Sequence, residues 1–463
     1  MTIKDYKYIY FLGIGGIGMS ALARWFRANG FEVYGYDRTA TPLTDALVEE
    51  EIHIHFDDDV EQIPTHFKNN PAQTLVVLTP AIPKDHAEWN YLKNNEFTIQ
   101  KRSQVLGLLS AGMFTIAVAG THGKTTTSSM IAHLLKHSDL NCTAFLGGIT
   151  QNYGTNMLLN EPSGSLGEVF CVVEADEFDR SFLTLFPDIA VVTSTDADHL
   201  DIYGDHNTLL DSFGAFVGQI KTEGQFFMQK NLQLGTYAKA KVSSYGLNGG
   251  DFRADNVRID NACFVFDFVY PNGQIEGVAM PLPGFHNVEN AVAAAAVGLA
   301  VGLSEIQIKE GLGTFRGVKR RFEYHLKTDK IVFIDDYAHH PTEVSAFLKS
   351  VRALYPNRTI TAVFQPHLFS RTKDFAAGFA ESLSLADSLI LLDIYPAREL
   401  PMEGVTSKII FDLVTISDKT MCQKSELLAI LKNRNTDIVV TIGAGDIDTL
   451  VGPIEELLSQ TKK

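Results

Sequence analysis

The pattern of hydrophobic and polar positions alternates between short apolar runs and longer segments with helical spacing. Apolar runs of strand length occupy residues 7–14, 31–37, 74–80, 114–120, 169–176 and 189–198. Helical spacing follows two of them, at 19–29 and 125–137. Strands that alternate with helices are typical of α/β proteins with largely parallel sheets. The sequence therefore predicts an α/β fold.

The pattern changes between about residues 225 and 282, where short alternating runs predict a β-rich segment. A helix is expected over 288–301, and a domain boundary near 316–323. Four further strands are predicted at 330–338, 359–367, 388–396 and 437–445. At about 150 residues per domain, a chain of 463 residues is expected to form three domains.

Charge and cysteine content narrow the class of protein. The 39 basic and 55 acidic residues give a net charge of −16, which argues against a general affinity for nucleic acid or anionic membranes. The longest apolar stretch, 291–303, is shorter than the roughly 20 residues of a membrane span, and the N-terminus does not resemble a signal peptide. The four cysteines form no C-x-x-C pair, so reduced thiols in the cytoplasm are expected.

A first glycine loop follows the first predicted strand. Gly13, Gly15 and Gly18 form G-x-G-x-x-G directly before a helix, and Asp37 ends the next strand. This arrangement suits a diphosphate at a helix N-terminus, with the carboxylate near a ribose. The motif leaves NAD and a UDP-sugar both open, and a glycine turn that serves only strand–helix packing remains the alternative.

A second glycine loop, Gly120-Thr121-His122-Gly123-Lys124-Thr125, lies between a predicted strand and a helix. The lysine can neutralise the β- and γ-phosphates of a nucleoside triphosphate, and the threonine hydroxyl can bind Mg²⁺. The strict G-x-x-x-x-G-K-[ST] pattern is not met, because Val118 stands where the pattern has glycine. The loop is therefore interpreted as a shortened phosphate-binding variant.

Acidic residues end the next two predicted strands: Glu174 and Asp176 at the first, and Asp196, Asp198 and His199 at the second. Such hard ligands suit Mg²⁺, with Glu174 and His199 placed near Thr125. The alternative is a set of solvated loop carboxylates or helix N-caps. For Glu177, Asp179 and Asp201 individually, solvated loop carboxylates or helix N-caps are expected.

Three further polar groups are candidates for ligand contacts. His286, Asn287 and Asn290 precede an alanine-rich helix and offer the donors and acceptors that an adenine edge requires, although Asn287 could instead cap the helix. Arg320 and Arg321 could reach a phosphate or form a solvated turn.

The third group follows two strands of the last third, at 335–343 and 365–371. Arg371 could clamp a carboxylate or form a surface ion pair. Zinc is discounted for the neighbouring His339 and His340, because no second ligand cluster has suitable spacing.

Together these motifs resemble the Mur ligases of peptidoglycan synthesis. The resemblance rests on GTHGKTTT (120–127), VEADEFDRSFL (173–183), DADHLDIYGD (196–205), GFHNVENAVAA (284–294), RRFE (320–323) and DDYAHHPTEV (335–344). It runs from FLGIGGIGMSALA (11–23) to TIGAGDI (441–447). The GIGGIGMS start and DDYAHHPTEV favour the alanine-adding members over those that add later residues.

The resemblance implies an ATP-dependent, cytoplasmic amide ligase that uses Mg²⁺ and joins L-alanine to UDP-N-acetylmuramate through an acyl phosphate. The implied domains are a Rossmann-like UDP-N-acetylmuramate-binding domain (1–107), a P-loop ATPase-type mixed-sheet domain for ATP (108–321) and a Rossmann-like amino-acid-binding and closure domain (322–463). A monomer or homodimer that acts on small molecules is expected.

The resemblance also implies roles for individual residues. The UDP-sugar would contact Gly13, Gly15, Gly16, Ile17, Gly18, Met19, Ser20, Asp37, Thr79 and Pro80. ATP would contact Gly120, Thr121, His122, Gly123, Lys124, Thr125, Thr126, His286, Asn287, Asn290, Arg321 and Asp336. The amino acid would contact Tyr337, His339 and Arg371, and the metal Thr125, Glu174 and His199. Lys124 would act in catalysis on the phosphates, and His199 or His340 could serve as the base.

Two positions of the chain depart from the pattern of the Mur ligases, and two other functions remain open. Residues 200–214 contain no lysine where several Mur ligases carry a carbamylated one; the alanine-adding members generally lack it as well. Leu368 stands where some relatives have arginine, which makes Arg371 the better candidate for the alanine carboxylate.

A muropeptide-recycling ligase that attaches a tripeptide shares most of these motifs. An NAD-dependent oxidoreductase with an ATP module would account for the first loop and Asp37.

Overall fold

A computed structural model describes residues 3–160, 169–197, 200–260, 263–397 and 399–461. The chain forms two compact units. The first comprises Met1–Arg253, Val269–Gly273 and Asn290–Leu312, and the second Ala254–Phe268, Gln274–Glu289 and Gly313–Lys463.

The first unit begins with a parallel sheet. Its strands are β1 (Tyr8–Leu12), β2 (Glu32–Tyr36), β3 (His53–His55), β4 (Thr74–Leu78) and β5 (Thr98–Lys101). The helices of this part are α1 (Ile17–Ala28), α2 (Pro42–Glu49), α3 (Thr65–Lys68), α4 (Ala87–Asn94) and α5 (Arg102–Ser110). The strand order is β3-β2-β1-β4-β5, and every pair is parallel. This is the Rossmann-like arrangement that the family resemblance implies, with the order reversing at β1.

A second sheet carries the second glycine loop. Its strands in the first unit are β6 (Phe114–Ala119), β7 (Cys142–Phe145), β8 (Met157–Leu158), β9 (Phe170–Glu174), β10 (Ile189–Val192), β11 (Gln225–Gln229) and β12 (Lys241–Gly246). They lie in the order β12-β11-β10-β6-β9-β7-β8. The pairs are parallel except for β7 with β8, so the sheet is mixed as expected. The helices here are α6 (Lys124–His137), α7 (Leu200–Tyr203) and α8 (His206–Val217).

The chain then forms the β-rich segment that the sequence predicts, with β13 (Phe252–Asp260), β14 (Cys263–Tyr270) and β15 (Gly273–Met280). These strands extend the order of the second sheet past β12. Two helices follow, α9 (Phe285–Ala300) and α10 (Glu305–Thr314). Since α9 begins at Phe285, Asn287 lies inside the helix, and the alternative that Asn287 is its N-cap is wrong.

The second unit contains another α/β sheet. Its strands are β16 (Glu323–Lys327), β17 (Val332–Asp336), β18 (Ile360–Phe364), β19 (Ser388–Leu391), β20 (Lys419–Met421) and β21 (Ile438–Ile442). They lie in the order β16-β17-β21-β18-β19-β20, and within the described part of this sheet the β16–β17 pair is antiparallel and the other pairs are parallel. Its helices are α11 (Pro341–Leu354), α12 (Phe369–Asp374), α13 (Ala376–Leu383), α14 (Lys408–Phe411), α15 (Leu427–Lys432) and α16 (Val451–Thr461).

The central strands form because they are apolar on both faces. Every residue of β1, β17, β18 and β21 is buried, which is the pattern of a parallel sheet covered by helices on both sides. Polar residues therefore collect in the loops after the strands, and ligands of open α/β sheets bind at that edge.

Candidate active site

The first glycine loop lies where the strand order of the first sheet reverses, between β1 and α1. Gly13 has a φ of +88°, and a Cβ there would stand 2.4 Å from Thr79 Cγ2 in the loop after β4. The Gly15 amide donates a hydrogen bond of 2.7 Å to the Asp37 carboxylate. Asp37 therefore holds the loop in place. This structural role is separate from the ribose contact that the sequence predicts for it.

The other predicted UDP-sugar residues lie around this turn. Gly16 directly precedes α1, and Ile17, Gly18, Met19 and Ser20 form its first turn. Met19 and Ser20 are buried, and Ile17 and Pro80 are exposed. The Ser20 hydroxyl donates to the Ile17 carbonyl at 2.9 Å. The loop thus leads directly into a helix N-terminus, the kind of position at which other proteins bind anions.

The second glycine loop is built against the residues that follow β10. Gly120 has a φ of +134°, and a Cβ there would lie 2.1 Å from Thr193 Oγ1 and 2.8 Å from the Ser194 amide nitrogen. The His122 amide donates to Ser194 Oγ at 2.7 Å, and the Thr121 and Ser194 hydroxyls lie 2.9 Å apart. Glycine is thus required at Gly120 by both conformation and space.

The lysine of this loop is held by a buried carboxylate. Lys124 Nζ donates to the Gly120 carbonyl at 2.6 Å and to Glu177 Oε1 at 2.9 Å. Glu177 is 1% exposed, so the expectation that it is a solvated loop residue is wrong. The backbone carbonyl of Glu177 accepts a hydrogen bond of 2.5 Å from the Tyr203 hydroxyl, which holds this residue beside the loop.

The electrostatic environment keeps this lysine charged. Burial alone lowers the pKa of Lys124, but the carboxylates of Glu177, Asp176 and Glu174 outweigh it and hold that pKa above its usual value. Lys124 is therefore a charged ammonium group, and phosphate oxygens that bind to it must take the place of Glu177 as its partner.

Two of the three predicted metal ligands lie in described parts of the chain. Glu174 ends β9 and accepts a hydrogen bond of 3.1 Å from the Gly147 amide, and Thr125 is buried in the first turn of α6. His199 and Asp198 lie outside the described residues, as does the side chain of Asp201. The hydroxyl and carboxylate oxygens are of the type that Mg²⁺ prefers, so the described donors fit that ion.

Of the three predicted adenine contacts, Asn290 lies beside the second glycine loop. A Cβ on Gly123, which has a φ of +82°, would stand 2.8 Å from Asn290 Oδ1. The amide of Asn287 donates to the Pro283 carbonyl at 2.6 Å, within its own segment. In the second unit, burial lowers the pKa of His286 to about 4, against the attraction of the Glu343 carboxylate. The lowered pKa favours the neutral imidazole near pH 7, which has one donor and one acceptor nitrogen.

Basic and acidic residues of the second unit meet at the end of β17. The Asp336 carboxylate accepts hydrogen bonds of 2.8 Å from the Phe322 and Ala338 amides. Burial raises the pKa of Asp336 to about 7, although the Arg321 guanidinium opposes the shift. Both Arg320 and Arg321 lie about 5 Å from the ring of Tyr337.

The predicted amino-acid residues form a chain of neighbouring side chains. The rings of Tyr337 and His339 are 5.3 Å apart, and those of His339 and His367 are 6.2 Å apart. Arg371, 6% exposed, places a guanidinium nitrogen 3.3 Å from His367 Nδ1. The structure therefore brings Tyr337, His339 and Arg371 into one cluster, which also includes His367.

His340, one of the two predicted bases, caps a helix and packs against an aromatic ring. Its Nδ1 accepts a hydrogen bond from the Thr342 amide at 3.4 Å and caps α11, and its ring packs against Phe375 at 4.8 Å. This geometry explains the burial of His340, and its role as a base stays a prediction.

Sequence reasoning missed three residues that the fold places beside the first two loops. These are Arg102 at the start of α5, Gly147 next to Glu174, and Asn156, whose amide donates to the Ile17 carbonyl at 2.5 Å. The side-chain hydrogen bonds of Asn156 to Ile17 and Ser20 join residues more than 130 positions apart in sequence, so no local pattern could have found them.

The described cysteines are free thiols, and the described helices were compared with the requirements of a membrane span. Cys142 and Cys171 are buried free thiols, Cys263 and Cys422 are partly buried free thiols, and burial raises the pKa of Cys142 to about 12. Among the described helices, none combines the length and apolar character that a membrane span needs.

The fold and the two loops define an α/β protein with glycine-rich turns at the N-termini of α1 and α6. Models of three Mur ligase parts match the chain in order: the Mur ligase family catalytic domain at 8–113, the Mur ligase middle domain at 118–298, and the domain described as "Mur ligase, glutamate ligase domain" at 320–445.

Relatives match along the whole length. The chain is 49% identical over 463 residues to the UDP-N-acetylmuramate–L-alanine ligase of Phocaeicola vulgatus, which covers 99% of this chain and 100% of that protein. It is 48% identical over 462 residues to the enzyme of the same name from Flavobacterium psychrophilum, covering 99% and 100%. The crystal structure of the Thermotoga maritima UDP-N-acetylmuramate-alanine ligase is similar with a TM-score of 0.82 and 28% identity, covering 98% and 100%. The chain belongs to the Mur ligase family.

Proposed function

We propose that the protein is an ATP-dependent ligase that joins L-alanine to the lactyl carboxylate of UDP-N-acetylmuramate in peptidoglycan precursor synthesis. The observation that carries this proposal is the full-length identity of 49% to a relative named as that ligase. The phosphate-type loop with its buried lysine is the local feature that supports it.

The chemistry explains why such a loop is needed. Formation of an amide from a carboxylate and an amine is uphill in water, so the carboxylate must be activated. A carboxylate oxygen attacks the γ-phosphorus of ATP, ADP leaves, and an acyl phosphate forms. The amine of alanine then attacks the acyl carbon, phosphate leaves, and the amide nitrogen loses a proton to a base.

The residues of the first unit suit the activation step. Residues 13–20 would surround the diphosphate of the sugar nucleotide at the start of α1, with Asp37, Thr79 and Pro80 nearby. Lys124 would stabilise charge on the transferred phosphoryl group once phosphate oxygens replace Glu177 as its partner. Residues 120–126 and Asn290 would surround ATP.

The described donors fit Mg²⁺, which would supply further charge stabilisation on the phosphates. Thr125 and Glu174 would hold the ion, and the proposal includes His199 as a further ligand. His286, Asn287, Arg321 and Asp336 are proposed to contact the nucleotide.

The second unit supplies the proposed amino-acid contacts. Arg371 can pair with a carboxylate through two parallel hydrogen bonds, and Tyr337 and His339 lie in the same cluster. We assign 1–107 to the sugar nucleotide, 108–321 to ATP, and 322–463 to the amino acid. His199 and His340 are both retained as candidate bases.

Phosphate release by the purified protein tests the proposal. The protein is supplied with ATP, Mg²⁺ and UDP-N-acetylmuramate, and with alanine, glycine, serine or the tripeptide L-alanyl-γ-D-glutamyl-meso-diaminopimelate. The highest kcat/KM is expected with alanine, and no release is expected without the sugar nucleotide. A preference for glycine or serine would overturn the amino-acid assignment, and a preference for the tripeptide would identify a recycling ligase.

A further inference from the structure

A histidine and two carboxylates of the second unit lie together at the edge of its sheet, on β16 and β17. Each of Glu323, His325 and Asp335 offers one ligand atom, and these atoms all lie within 4.8 Å of one another. Glu323 is directly opposite Asp335 in the antiparallel pair, and His325 follows two positions along β16. None of the three has a role in the proposed reaction.

A β-bulge sets the direction of His325. The residues on either side of it lie opposite consecutive residues of β17, so His325 is the extra residue of the bulge. Bulges at sheet edges re-aim side chains. Here the ring lies 5.3 Å from that of Phe333, and Nε2 lies 3.8 Å from Glu323 Oε2.

The two ring nitrogens of His325 have different surroundings. Nδ1 lies 3.4 Å from a carboxylate oxygen of Glu455 on α16. Nε2 is buried and has no hydrogen-bond partner among the described residues. A carboxylate beside Nδ1 favours the tautomer with its proton there, which leaves a lone pair on Nε2. Metal-binding histidines have this arrangement, since they donate their other N–H to a carboxylate or a carbonyl.

The described ion pairs around this histidine are rich in negative charge. Arg320 lies 3.3 Å from both Asp335 and Asp448. Glu323 and Glu455 lie 3.8 and 3.4 Å from the imidazole. One guanidinium is thus set against four carboxylates, and that of Asp335 is 1% exposed. A divalent cation would offset much of this negative charge.

We propose that Glu323, His325 and Asp335 bind a divalent transition-metal ion, for which Zn²⁺ is the best fit. Glu455 would orient the histidine through Nδ1. Zinc takes imidazole and carboxylate ligands, and water completes a tetrahedral shell when the protein supplies three. Bonds of about 2.0–2.2 Å place tetrahedral ligand atoms roughly 3.3–3.6 Å apart, so the 3.8 Å between Nε2 and Glu323 Oε2 needs little adjustment.

The bound ion would join β16 to β17 and, through Glu455, to α16. Mg²⁺ is a poorer fit, because it prefers oxygen ligands and keeps several waters. The site uses none of the proposed Mg²⁺ ligands, and it does not depend on the proposed function.

The alternative is that His325 is protonated and forms ion pairs with Glu323 and Glu455. Such pairs would stabilise the edge of the sheet without a metal. The two explanations differ in whether loss of the imidazole removes a bound ion, so the ion itself must be counted.

The test compares His325→Gln and Glu323→Gln, each of which removes one ligand, with the wild-type protein. His66→Gln is the matched control, because His66 also lies beside a glutamate, Glu32, at 2.7 Å and is 45% exposed. Metal-free full-length protein is titrated with Zn²⁺ in excess Mg²⁺, and calorimetry gives the stoichiometry and the Kd. A parallel titration with Co²⁺ reports the coordination geometry by visible absorption. Thermal unfolding with and without Zn²⁺ reports stability.

We expect the wild-type protein and His66→Gln to bind one equivalent of Zn²⁺ that both ligand variants bind at least about 100-fold more weakly. Loss of a residue that only orients a ligand costs about 10- to 100-fold, so Glu455→Ala should weaken the same equivalent by that factor. Zn²⁺ should raise the unfolding midpoint of the wild-type protein and of His66→Gln, and not that of His325→Gln. The Co²⁺ spectrum of a four-coordinate site should be absent from His325→Gln.

The inference is overturned if His325→Gln binds as many equivalents of Zn²⁺ as the wild-type protein with the same Kd, or if the wild-type protein binds Zn²⁺ only at millimolar concentrations. A midpoint lowered in His325→Gln to the same extent with and without Zn²⁺ would establish the ion-pair role instead. Glu455 is 42% exposed, so Glu455→Ala keeps the test decisive if a ligand variant does not fold.

Discussion

Removal of the Glu177 carboxylate from its buried pair with Lys124 is expected to lower the free energy of unfolding and to strengthen ATP binding. Glu177→Gln removes a carboxylate that is 1% exposed and lies 2.8–2.9 Å from the lysine ammonium. Removal of one partner of a buried pair lowers the free energy of unfolding by about 3–5 kcal/mol. Lys124 keeps the Gly120 carbonyl at 2.6 Å and the fields of Asp176 and Glu174, so we expect the lower end, about 3 kcal/mol.

The effect on ATP binding has the other sign. In the ATP complex we expect Lys124 to contact phosphate oxygens. The Glu177 carboxylate competes with these oxygens for the ammonium group and also repels them. The variant is therefore expected to bind ATP more tightly than the wild-type protein. ATP should raise its unfolding midpoint by more than it raises the wild-type midpoint.

Thermal unfolding followed by circular dichroism, with and without a non-hydrolysable ATP analogue and Mg²⁺, measures both effects. About 3 kcal/mol corresponds to a fall in the midpoint of roughly 6–12 °C for a domain of about 200 residues. Glu223→Gln, at an exposed position of the same unit, is the control and should change neither value. A Glu177→Gln protein that unfolds at the wild-type midpoint, or that gains no extra stabilisation from the analogue, would refute the reasoning.

Three further predictions follow from contacts in the first unit. Lys124→Met should abolish phosphate release and lower the unfolding midpoint by leaving Glu177 unpaired, and Lys124→Met with Glu177→Gln should recover the midpoint without the activity. Asn156→Ala should lower the free energy of unfolding by about 2–3 kcal/mol in urea titrations, because its buried amide donates to the Ile17 carbonyl and the Ser20 hydroxyl at 2.5 and 3.0 Å. Burial raises the pKa of Glu88 from 4.5 to about 7, so the folded state holds a proton that the unfolded chain releases, and stability falls as the pH rises through that window. Glu88→Gln should remove that slope, roughly 3 kcal/mol between pH 4.5 and 7 in urea titrations at several pH values; an unchanged slope would exclude Glu88 as its source.

The sequence predicted the features that depend on neighbouring residues. Apolar runs indicated the strands, and glycine spacing indicated the loops after β1 and β6, because both patterns are local. The α/β class predicted on this basis is confirmed, and so is the mixed second sheet that the family resemblance implies. The start of α9 was placed three residues late, since Phe285 to Asn287 extend the helix beyond its apolar pattern.

The features that sequence reasoning missed depend on how the chain returns after a strand. Glu177 was expected in solvent, yet the backbone turns sharply at Asp179 and Arg180, where φ is +51° and +55°, and the carboxylate lies under Lys124. Arg102 meets Gly18 and Asp176 only when α1, α5 and β9 pack together. Contacts of this kind have no sequence period.

The transfer of a labelled oxygen tests the central claim most directly. UDP-N-acetylmuramate with both lactyl carboxylate oxygens replaced by ¹⁸O is turned over with ATP, Mg²⁺ and alanine, and mass spectrometry identifies the products. If the carboxylate is phosphorylated before the amine attacks, the released phosphate will carry a labelled oxygen, and the sugar nucleotide will gain the mass of alanine less that of labelled water. Unlabelled phosphate, or ATP hydrolysis without the amide product, would contradict the account.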